Sequence, residues 1–213
     1  MSNKEHLRAE AIEEVHQSIR RTSPYLERPL DKHLHQAWVF DLLQKVAKER
    51  EQFTVVDAGC GIGLLGAYLL NLTNITYIGV DRVENFLEAG RELFRKLGHP
   101  SNFLCCNIYI DELPKADVFI FLGYEDEFTY YQRLYNICKK YNEIMISITG
   151  REMWEYTKSI RKNPPLNFIS EKEFENIFSK DFLIREKKKI KRGRVLYWLQ
   201  NSEIQEFEND IRF

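Results

Sequence analysis

The sequence has no excess of either charge and no long apolar run. Its 31 Lys and Arg residues nearly balance 32 Asp and Glu residues, which leaves a formal net charge of −1. No global electric field therefore favours nucleic acid or an anionic membrane surface. No apolar stretch approaches the roughly 20 residues that span a bilayer, and the charged N-terminal stretch is unlike a secretory signal peptide. We expect a cytoplasmic protein without a membrane partner.

Cysteine and histidine are too sparse and too scattered to suggest a metal site. None of the four cysteines belongs to a Cys-x-x-Cys pair, which is the spacing that many zinc sites use. His33 and His35 are close in sequence but lack a third ligand, so no metal is expected. Cys105 and Cys106 are adjacent on a predicted strand. All four cysteines are predicted to be reduced and buried, as in most cytoplasmic proteins.

Much of the chain alternates between apolar runs and helical spacing of apolar residues. Strands are predicted at residues 53–57, 75–80, 102–106, 117–122 and 143–149, and helices at residues 62–72, 84–97 and 126–140. Apolar strands that are separated by helices are typical of a parallel sheet covered on both faces.

The C-terminal part of the chain departs from this alternation. Ser170 and Glu173 have the spacing of a capping box, and Ile169 and Phe174 that of a hydrophobic staple, so a helix is predicted to about residue 179. Strands at 182–189 and 194–200 then form a hairpin. The prediction is an α/β fold with a single doubly wound sheet of seven strands, mostly parallel, with a C-terminal antiparallel β-hairpin. Residues 1–50 form an N-terminal helical extension or lid, 51–200 the main domain and 201–213 a tail.

A glycine-rich segment, Val-Val-Asp-Ala-Gly-Cys-Gly-Ile-Gly at residues 55–63, follows the first predicted strand. Glycines let a ligand approach the backbone closely, and open α/β sheets bind ligands at the carboxyl ends of their strands. Residues 61–66 also satisfy the Gly-x-Gly-x-x-Gly spacing of dinucleotide folds. Asp81, at the end of the next strand, suits the ribose of a dinucleotide or of another nucleoside ligand. A tight turn that only packs a helix on a strand remains the structural alternative.

Two classes of ligand compete for this loop, dinucleotides and S-adenosylmethionine, and Asp57 distinguishes between them. A dinucleotide places an anionic pyrophosphate on such a loop, and a carboxylate beside it is repelled. S-adenosylmethionine carries an ammonium and a sulfonium instead, and a nearby carboxylate favours both. The charge at Asp57 therefore favours S-adenosylmethionine over NAD.

The segment 56–63 resembles the first motif of the class I S-adenosylmethionine-dependent methyltransferases, a Rossmann-like superfamily, and the similarity extends from about residue 53 to residue 200. It implies that Asp81 binds both ribose hydroxyls and that Leu122 lies below the methionine moiety. Asn107 stands where the family usually has Asp; its carbonyl still accepts from the adenine amine. A strand-end cap, a core position and a turn are the respective alternatives for these three residues. The implied cofactor-binding set is Asp57, Gly59, Cys60, Gly61, Asp81, Arg82, Asn107, Ile108 and Leu122.

The resemblance implies methyl transfer and leaves the acceptor open. Residues 122–126 lack the Asn/Asp-Pro-Pro-Tyr sequence of enzymes with this fold that methylate nucleic-acid amino groups, so a small-molecule oxygen or nitrogen is the leading interpretation. His33, His35 and Tyr124 are weak candidates for acid–base roles, with ordinary surface residues as the alternative. A basic hairpin at 185–194 leaves an RNA or protein acceptor open, and a non-catalytic S-adenosylmethionine-binding module is a further alternative.

Overall fold

The computed structural model describes residues 14, 34–122, 131–149, 155, 159, 169–190 and 194–202, with the backbone alone for 34–37. The chain divides into two compact units, Met1–Glu112 and Leu113–Phe213. Together they carry the seven strands of a mixed sheet, which confirms the predicted fold class. Within these ranges every helix is too short or too polar to cross a bilayer.

The first unit consists of alternating helices and parallel strands. Its elements are α1 (Leu34–Glu49), β1 (Phe53–Ala58), α2 (Leu64–Leu69), β2 (Ile75–Asp81), α3 (Glu84–Lys96) and β3 (Phe103–Cys105). The strand order is β3-β2-β1, and both pairings are parallel. Asp57 pairs in register with Gly79, and Asp81 pairs with Cys105. The carboxyl ends of the three strands therefore lie along the same edge, and both aspartates are there.

Helix α2 is shorter than the helix predicted at 62–72, which was wrong at both ends. Gly61 and Gly63 have φ angles of 57° and 72°, in the left-handed region that an α-helix does not use. The helix can begin only after Gly63, so the predicted first residue, Ile62, belongs to the loop.

The ring of Phe103 packs against three glycines of the first unit. A Cβ atom at Gly63 or Gly79 would lie 2.5 Å from this ring, and one at Gly90 would lie 3.0 Å from it. Phe103 is buried and meets Phe94 edge to face, with ring centroids 5.1 Å apart. The helices and strands of this unit approach as closely as they do because these positions have no side chain.

The second unit contains the antiparallel end of the fold. Its elements are β4 (Val118–Phe121), α4 (Tyr131–Cys138), β5 (Glu143–Thr149), α5 (Glu171–Phe178), β6 (Phe182–Ile190) and β7 (Arg194–Asn201). The strand order is β4-β5-β7-β6, with β4 and β5 parallel and both pairings of β7 antiparallel. The predicted C-terminal hairpin is thus confirmed, and its second strand lies between β5 and β6.

The predicted capping box at the start of α5 is also confirmed. The backbone N–H of Glu173 donates to Ser170 Oγ at 3.2 Å, and the N–H of Ser170 donates to Glu173 Oε2 at 2.8 Å. Phe174 and Phe178 are fully buried and stack with ring centroids 4.2 Å apart. The cap therefore begins a helix whose apolar face joins the core of this unit.

The prediction that all four cysteines are buried was wrong. Only Cys138 is fully buried, Cys60 and Cys106 are half-buried, and Cys105 is exposed. Cys105 ends a three-residue strand at the edge of the described sheet, where no further strand of that sheet pairs with it. All four thiols are free, as predicted.

Gly63 and Gly98 form a matched pair for testing the packing of Phe103, because both have a φ of 72°. A Cβ at Gly98 meets nothing within 4 Å, so Gly98→Ala should cost only the left-handed backbone penalty of about 1–2 kcal/mol. Gly63→Ala should lower the free energy of unfolding by about 1–3 kcal/mol more, the usual cost of overpacking a core. Urea denaturation of both variants measures the difference, and equal losses would contradict the packing role.

Candidate functional site

The glycine loop between β1 and α2 is held against the end of β2 by backbone hydrogen bonds. The N–H groups of Gly59 and Cys60 both donate to the carbonyl oxygen of Val80, at 2.7 and 3.0 Å. Gly59, Gly61 and Gly63 have φ angles of 71°, 57° and 72°. Three left-handed residues at alternate positions make a tight turn that other L residues adopt only with strain.

Gly61 differs from the glycines that pack against Phe103. A Cβ atom built at Gly61 would meet nothing within 4 Å, whereas one at Gly63 would collide with the Phe103 ring. Packing therefore explains the glycine at 63, and it does not explain the glycine at 61. The space beside Gly61 is where a ligand can reach the loop backbone, so the residues present fit a bound nucleoside at this turn.

Asp81 joins the end of β2 to this loop. Its Oδ2 accepts from the N–H of Gly61 at 2.9 Å, and its Oδ1 accepts from the N–H of Val83 at 3.0 Å. Each carboxylate oxygen has two lone pairs, so both oxygens keep acceptor capacity for a hydroxyl group. The contacts make Asp81 a strand-end cap, and this role is compatible with the predicted binding of ribose hydroxyls.

Asp57 is a buried carboxyl group at the end of β1. Its side chain is 5% exposed, and its Oδ2 accepts from the hydroxyl of Tyr77 at 2.7 Å. The pKa of Asp57 is raised to about 7: burial is the main cause of the rise, the Tyr77 hydrogen bond opposes it, and the charge of the nearby Asp81 adds to it. Among the described residues, none of the groups that shift the pKa of Asp57 is a cation. A cationic ligand would therefore favour the charged form of Asp57, whereas a phosphate would oppose it.

The Cys60 thiol is part of the loop and has no features of a nucleophile. Burial raises its pKa well above the usual range, and the neighbouring Asp57 and Asp81 raise it further. Its sulfur would lie 2.9 Å from a Cβ atom at Gly79. A neutral, packed thiol is inert, so Cys60 contributes its backbone and its volume to the site.

Asn107 forms a turn directly after β3. Its side-chain oxygen accepts from the N–H of Tyr109 at 3.0 Å, and its backbone N–H donates to Asp111 Oδ2 at 2.7 Å. The N–H of Cys106 donates to the carbonyl of Asp81 at 3.0 Å, so this turn begins beside the end of β2. The geometry is that of the alternative interpretation, a turn-forming Asn. Its predicted contact with adenine stays a prediction.

Three apolar side chains are exposed near the ends of β2 and β3: one follows β2, one lies within β3 and one follows β3. Val83, Leu104 and Ile110 are 36%, 40% and 77% exposed, while Ile108 is half-buried and Arg82 is exposed. Val83, Leu104 and Ile110 were not predicted as site residues, because single apolar residues in loops or short strands carry no periodic signal.

The remaining predicted site residues lie in the second unit or outside the described residues. Leu122 directly follows β4, is half-buried, and its carbonyl accepts from Arg194 Nη1 at 3.2 Å. Its contact with the cofactor stays a prediction. His33 and Tyr124 lie outside the described residues, and only the backbone of His35, in α1, is described.

Two lysines of the basic hairpin are paired with carboxylates of α5. Lys187 Nζ lies 2.7 Å from Glu171 and 2.5 Å from Glu175, and Lys189 Nζ lies 2.8 Å from Glu171. The hydroxyl of Tyr197 on β7 also donates to Glu175, at 2.9 Å. These contacts stabilise the packing of α5 on the hairpin and neutralise part of the charge that would attract a phosphate.

Burial of Asp57 predicts a defined pH dependence of stability. Its pKa is about 7 in the folded chain against an ordinary value of 3.8, so the folded state holds the proton more tightly than the unfolded state. The stabilisation is complete below the unfolded pKa and is lost as the pH rises towards 7. Relative to the unsubstituted protein, Asp57→Asn should therefore gain about 1 kcal/mol of unfolding free energy per pH unit across this window.

Urea denaturation at several pH values measures this gain. Asp41→Asn, which removes an exposed aspartate of α1, is the control for the loss of one charge and should show no such trend. A pH-independent difference between Asp57→Asn and the unsubstituted protein would mean that Asp57 titrates normally.

Comparison with known proteins identifies the same region of the chain. Residues 55–139 match a family model described as a methyltransferase domain. This segment includes the glycine loop, Asp81 and Asn107. Among curated protein sequences, none matches the chain significantly.

Solved structures with the same fold are numerous and distant in sequence. Magnesium protoporphyrin IX methyltransferase from Synechocystis PCC 6803, solved with bound SAH, is 17% identical over 79% of this chain and 83% of its own, with a TM-score of 0.64. An S-adenosylmethionine-dependent methyltransferase from Clostridium acetobutylicum ATCC 824 is 12% identical over 87% of this chain and 97% of its own, also with a TM-score of 0.64. The N-methyltransferase NodS from Bradyrhizobium japonicum WM9 is 10% identical over 81% and 99%, with a TM-score of 0.58.

Identities this low show a shared fold, and that fold is the predicted Rossmann-like one. The matched domain adds the sequence evidence. The matched segment is a methyltransferase domain, and the fold is that of S-adenosylmethionine-dependent methyltransferases; domain and fold together indicate S-adenosylmethionine as the cofactor.

Proposed function

We propose that this chain is an S-adenosylmethionine-dependent methyltransferase that transfers a methyl group to an oxygen or nitrogen of a small molecule. One observation carries the cofactor part of the proposal. The hydrogen bond from the Gly61 N–H to Asp81 joins the open turn of the glycine loop to an acidic strand end. A bound nucleoside needs two features close together: a loop backbone that it can approach closely and a carboxylate that accepts from its ribose hydroxyls.

The residues that would hold the cofactor belong largely to the first unit. Asp81 would accept from the ribose hydroxyls, the loop at 59–61 would border the amino-acid part, and the Asp57 carboxylate would favour its positive charge. Arg82, Asn107 and Ile108 would border the adenine. When bound, the cofactor supplies a methyl group on a sulfonium centre for in-line displacement. The chain orients the acceptor and excludes water.

Electrostatics supports this cofactor over NAD. Asp57 and Asp81 are 5% and 4% exposed, so neither carboxylate is well screened by water. A pyrophosphate on the same turn would meet the buried carboxyl group of Asp57 instead of the bare backbone that dinucleotide folds offer. A sulfonium and an ammonium would meet favourable charge there.

The acceptor class is supported by two weaker observations. The ion pairs of Lys187 and Lys189 with α5 reduce the positive potential that an RNA acceptor would use. The fold is also that of magnesium protoporphyrin IX methyltransferase, whose name describes a small-molecule acceptor. His33, His35 and Tyr124 remain the proposed acid–base residues. Substitution of a residue in such a role lowers the reaction rate by about an order of magnitude or more.

We expect Asp81→Ala to weaken S-adenosylmethionine binding about 100-fold or more, because two hydrogen bonds to a charged acceptor are lost and the Gly61 turn is released. Isothermal titration calorimetry with S-adenosylmethionine, S-adenosylhomocysteine and NAD measures this change. Glu88→Ala, at an exposed position of α3, is the matched control and should bind normally. Unchanged affinity of Asp81→Ala would remove the ribose assignment, and binding of NAD alone would end the methyltransferase proposal.

Turnover separates an enzyme from a non-catalytic binding module. The protein is incubated with S-adenosylmethionine carrying a labelled methyl group and a panel of phenols, carboxylates, amines and short RNAs. We expect label on a small oxygen or nitrogen acceptor. Label on RNA, with retention that falls steeply as salt rises, would favour the RNA alternative. Cofactor binding without any labelled product would favour the binding module.

A further inference from the structure

Tyr77 is a polar residue in the apolar interior of the first unit. It lies on β2 opposite Val55 of β1, and its ring packs near Phe94 and Phe103, with centroids 6.2 and 6.3 Å away. Packing alone is equally well satisfied by Phe at such a position. The hydroxyl group therefore calls for its own explanation, and its hydrogen bond leads to the glycine loop.

The fold makes room for Tyr77 at Gly66 of α2. A Cβ atom at Gly66 would lie 2.4 Å from the Tyr77 ring, so the glycine permits the ring to reach its position. From there the hydroxyl donates to Asp57 Oδ2 at 2.7 Å. Burial raises the pKa of Tyr77 well above its usual range, and the charge of Asp57 raises it further. Tyr77 therefore keeps its proton and acts as a permanent donor at neutral pH.

Among the described residues, three groups act on the Asp57 carboxyl from its surroundings. Tyr77 on β2 donates to it, Asp81 at the end of β2 repels its charge, and the Cys60 thiol in the loop interacts with it while remaining protonated. Burial and Asp81 favour the neutral acid. Only the Tyr77 hydroxyl, of these, favours the carboxylate, and it also holds one oxygen in a defined direction.

We propose that Tyr77 is a positioning residue of the cofactor site, whose hydroxyl orients the Asp57 carboxyl and favours its charged form, so that affinity for a cationic nucleoside depends on pH. This inference rests on the proposed binding of S-adenosylmethionine. Protonation of Asp57 competes with the cofactor for the same carboxylate. Cofactor affinity rises as Asp57 loses its proton, and binding near neutral pH releases part of a proton.

The direct test measures Asp57 in the protein without cofactor. Carbon-13 labelling of aspartate carboxyl groups lets NMR follow the titration of Asp57, assigned by its absence in Asp57→Asn. We expect Tyr77→Phe to move the Asp57 titration to higher pH by about one unit, since a hydrogen bond to the charged form is lost. Tyr141→Phe is the control, because the Tyr141 hydroxyl is also buried but donates to the carbonyl of Pro114, at 3.1 Å.

The functional test measures S-adenosylmethionine affinity by calorimetry between about pH 5.5 and 7, where the cofactor's own α-amino group remains mostly protonated. A one-unit shift of Asp57 predicts roughly fivefold weaker binding of Tyr77→Phe at pH 7. The ratio to the unsubstituted protein should change with pH. Tyr141→Phe should bind as the unsubstituted protein does at every pH.

A double-variant comparison separates positioning from general damage. In an Asp57→Asn background the affinity should be independent of pH in this range, and adding Tyr77→Phe should change it little. Failure of the unsubstituted protein to bind S-adenosylmethionine would refute the proposed function itself. Normal binding together with an unshifted Asp57 titration in Tyr77→Phe, or with a pH-independent loss of affinity, would overturn the role of Tyr77.

Discussion

The hydrogen bond from the Gly61 N–H to Asp81 Oδ2 is the contact on which the site depends. It connects the loop that follows β1 to the residue that ends β2, and it exists because the two strands are parallel and in register. The backbone of Gly61, which donates this hydrogen bond, is left-handed, a conformation that in practice requires glycine. Sheet register, loop conformation and the position of the acidic group are therefore parts of one arrangement.

Glycines with different physical roles are indistinguishable in the sequence. Gly61 is followed by Gly63 and Gly66, which together give the Gly-x-Gly-x-x-Gly spacing of a dinucleotide site. In the structure, Gly63 makes room for Phe103, Gly66 makes room for Tyr77, and only Gly61 borders open space. Two of the three glycines thus serve the packing of α2 on the sheet. The charge at Asp57 was the better guide to the ligand, because charge acts over distance and packing glycines carry none.

The fold was largely predictable because its signals are local. Alternation of apolar strands and helices, the Ser170–Glu173 capping box and the C-terminal hairpin each depend on residues close in sequence. The wrong predictions concern features that the sequence pattern alone does not determine. The left-handed Gly63 places the start of α2 later than predicted, and Cys105 is exposed because it lies on an edge strand. Tyr77 was predicted only as one residue of a strand. Its importance comes from a contact across β1 and β2 with a residue 20 positions away, which no periodicity encodes.

Two buried carboxyl groups at one turn are unfavourable for the folded chain without a ligand. Burial raises the pKa of Asp57 to about 7, so near neutral pH the fold must either hold a proton there or leave a poorly solvated charge. Local violations of this kind are expected where a protein binds a ligand of complementary charge. Desolvation disfavours the Asp57 carboxylate in the free protein, and the same low-dielectric surroundings strengthen its attraction to a cationic cofactor. In our proposal, the Tyr77 hydroxyl favours the charged form on which this attraction depends.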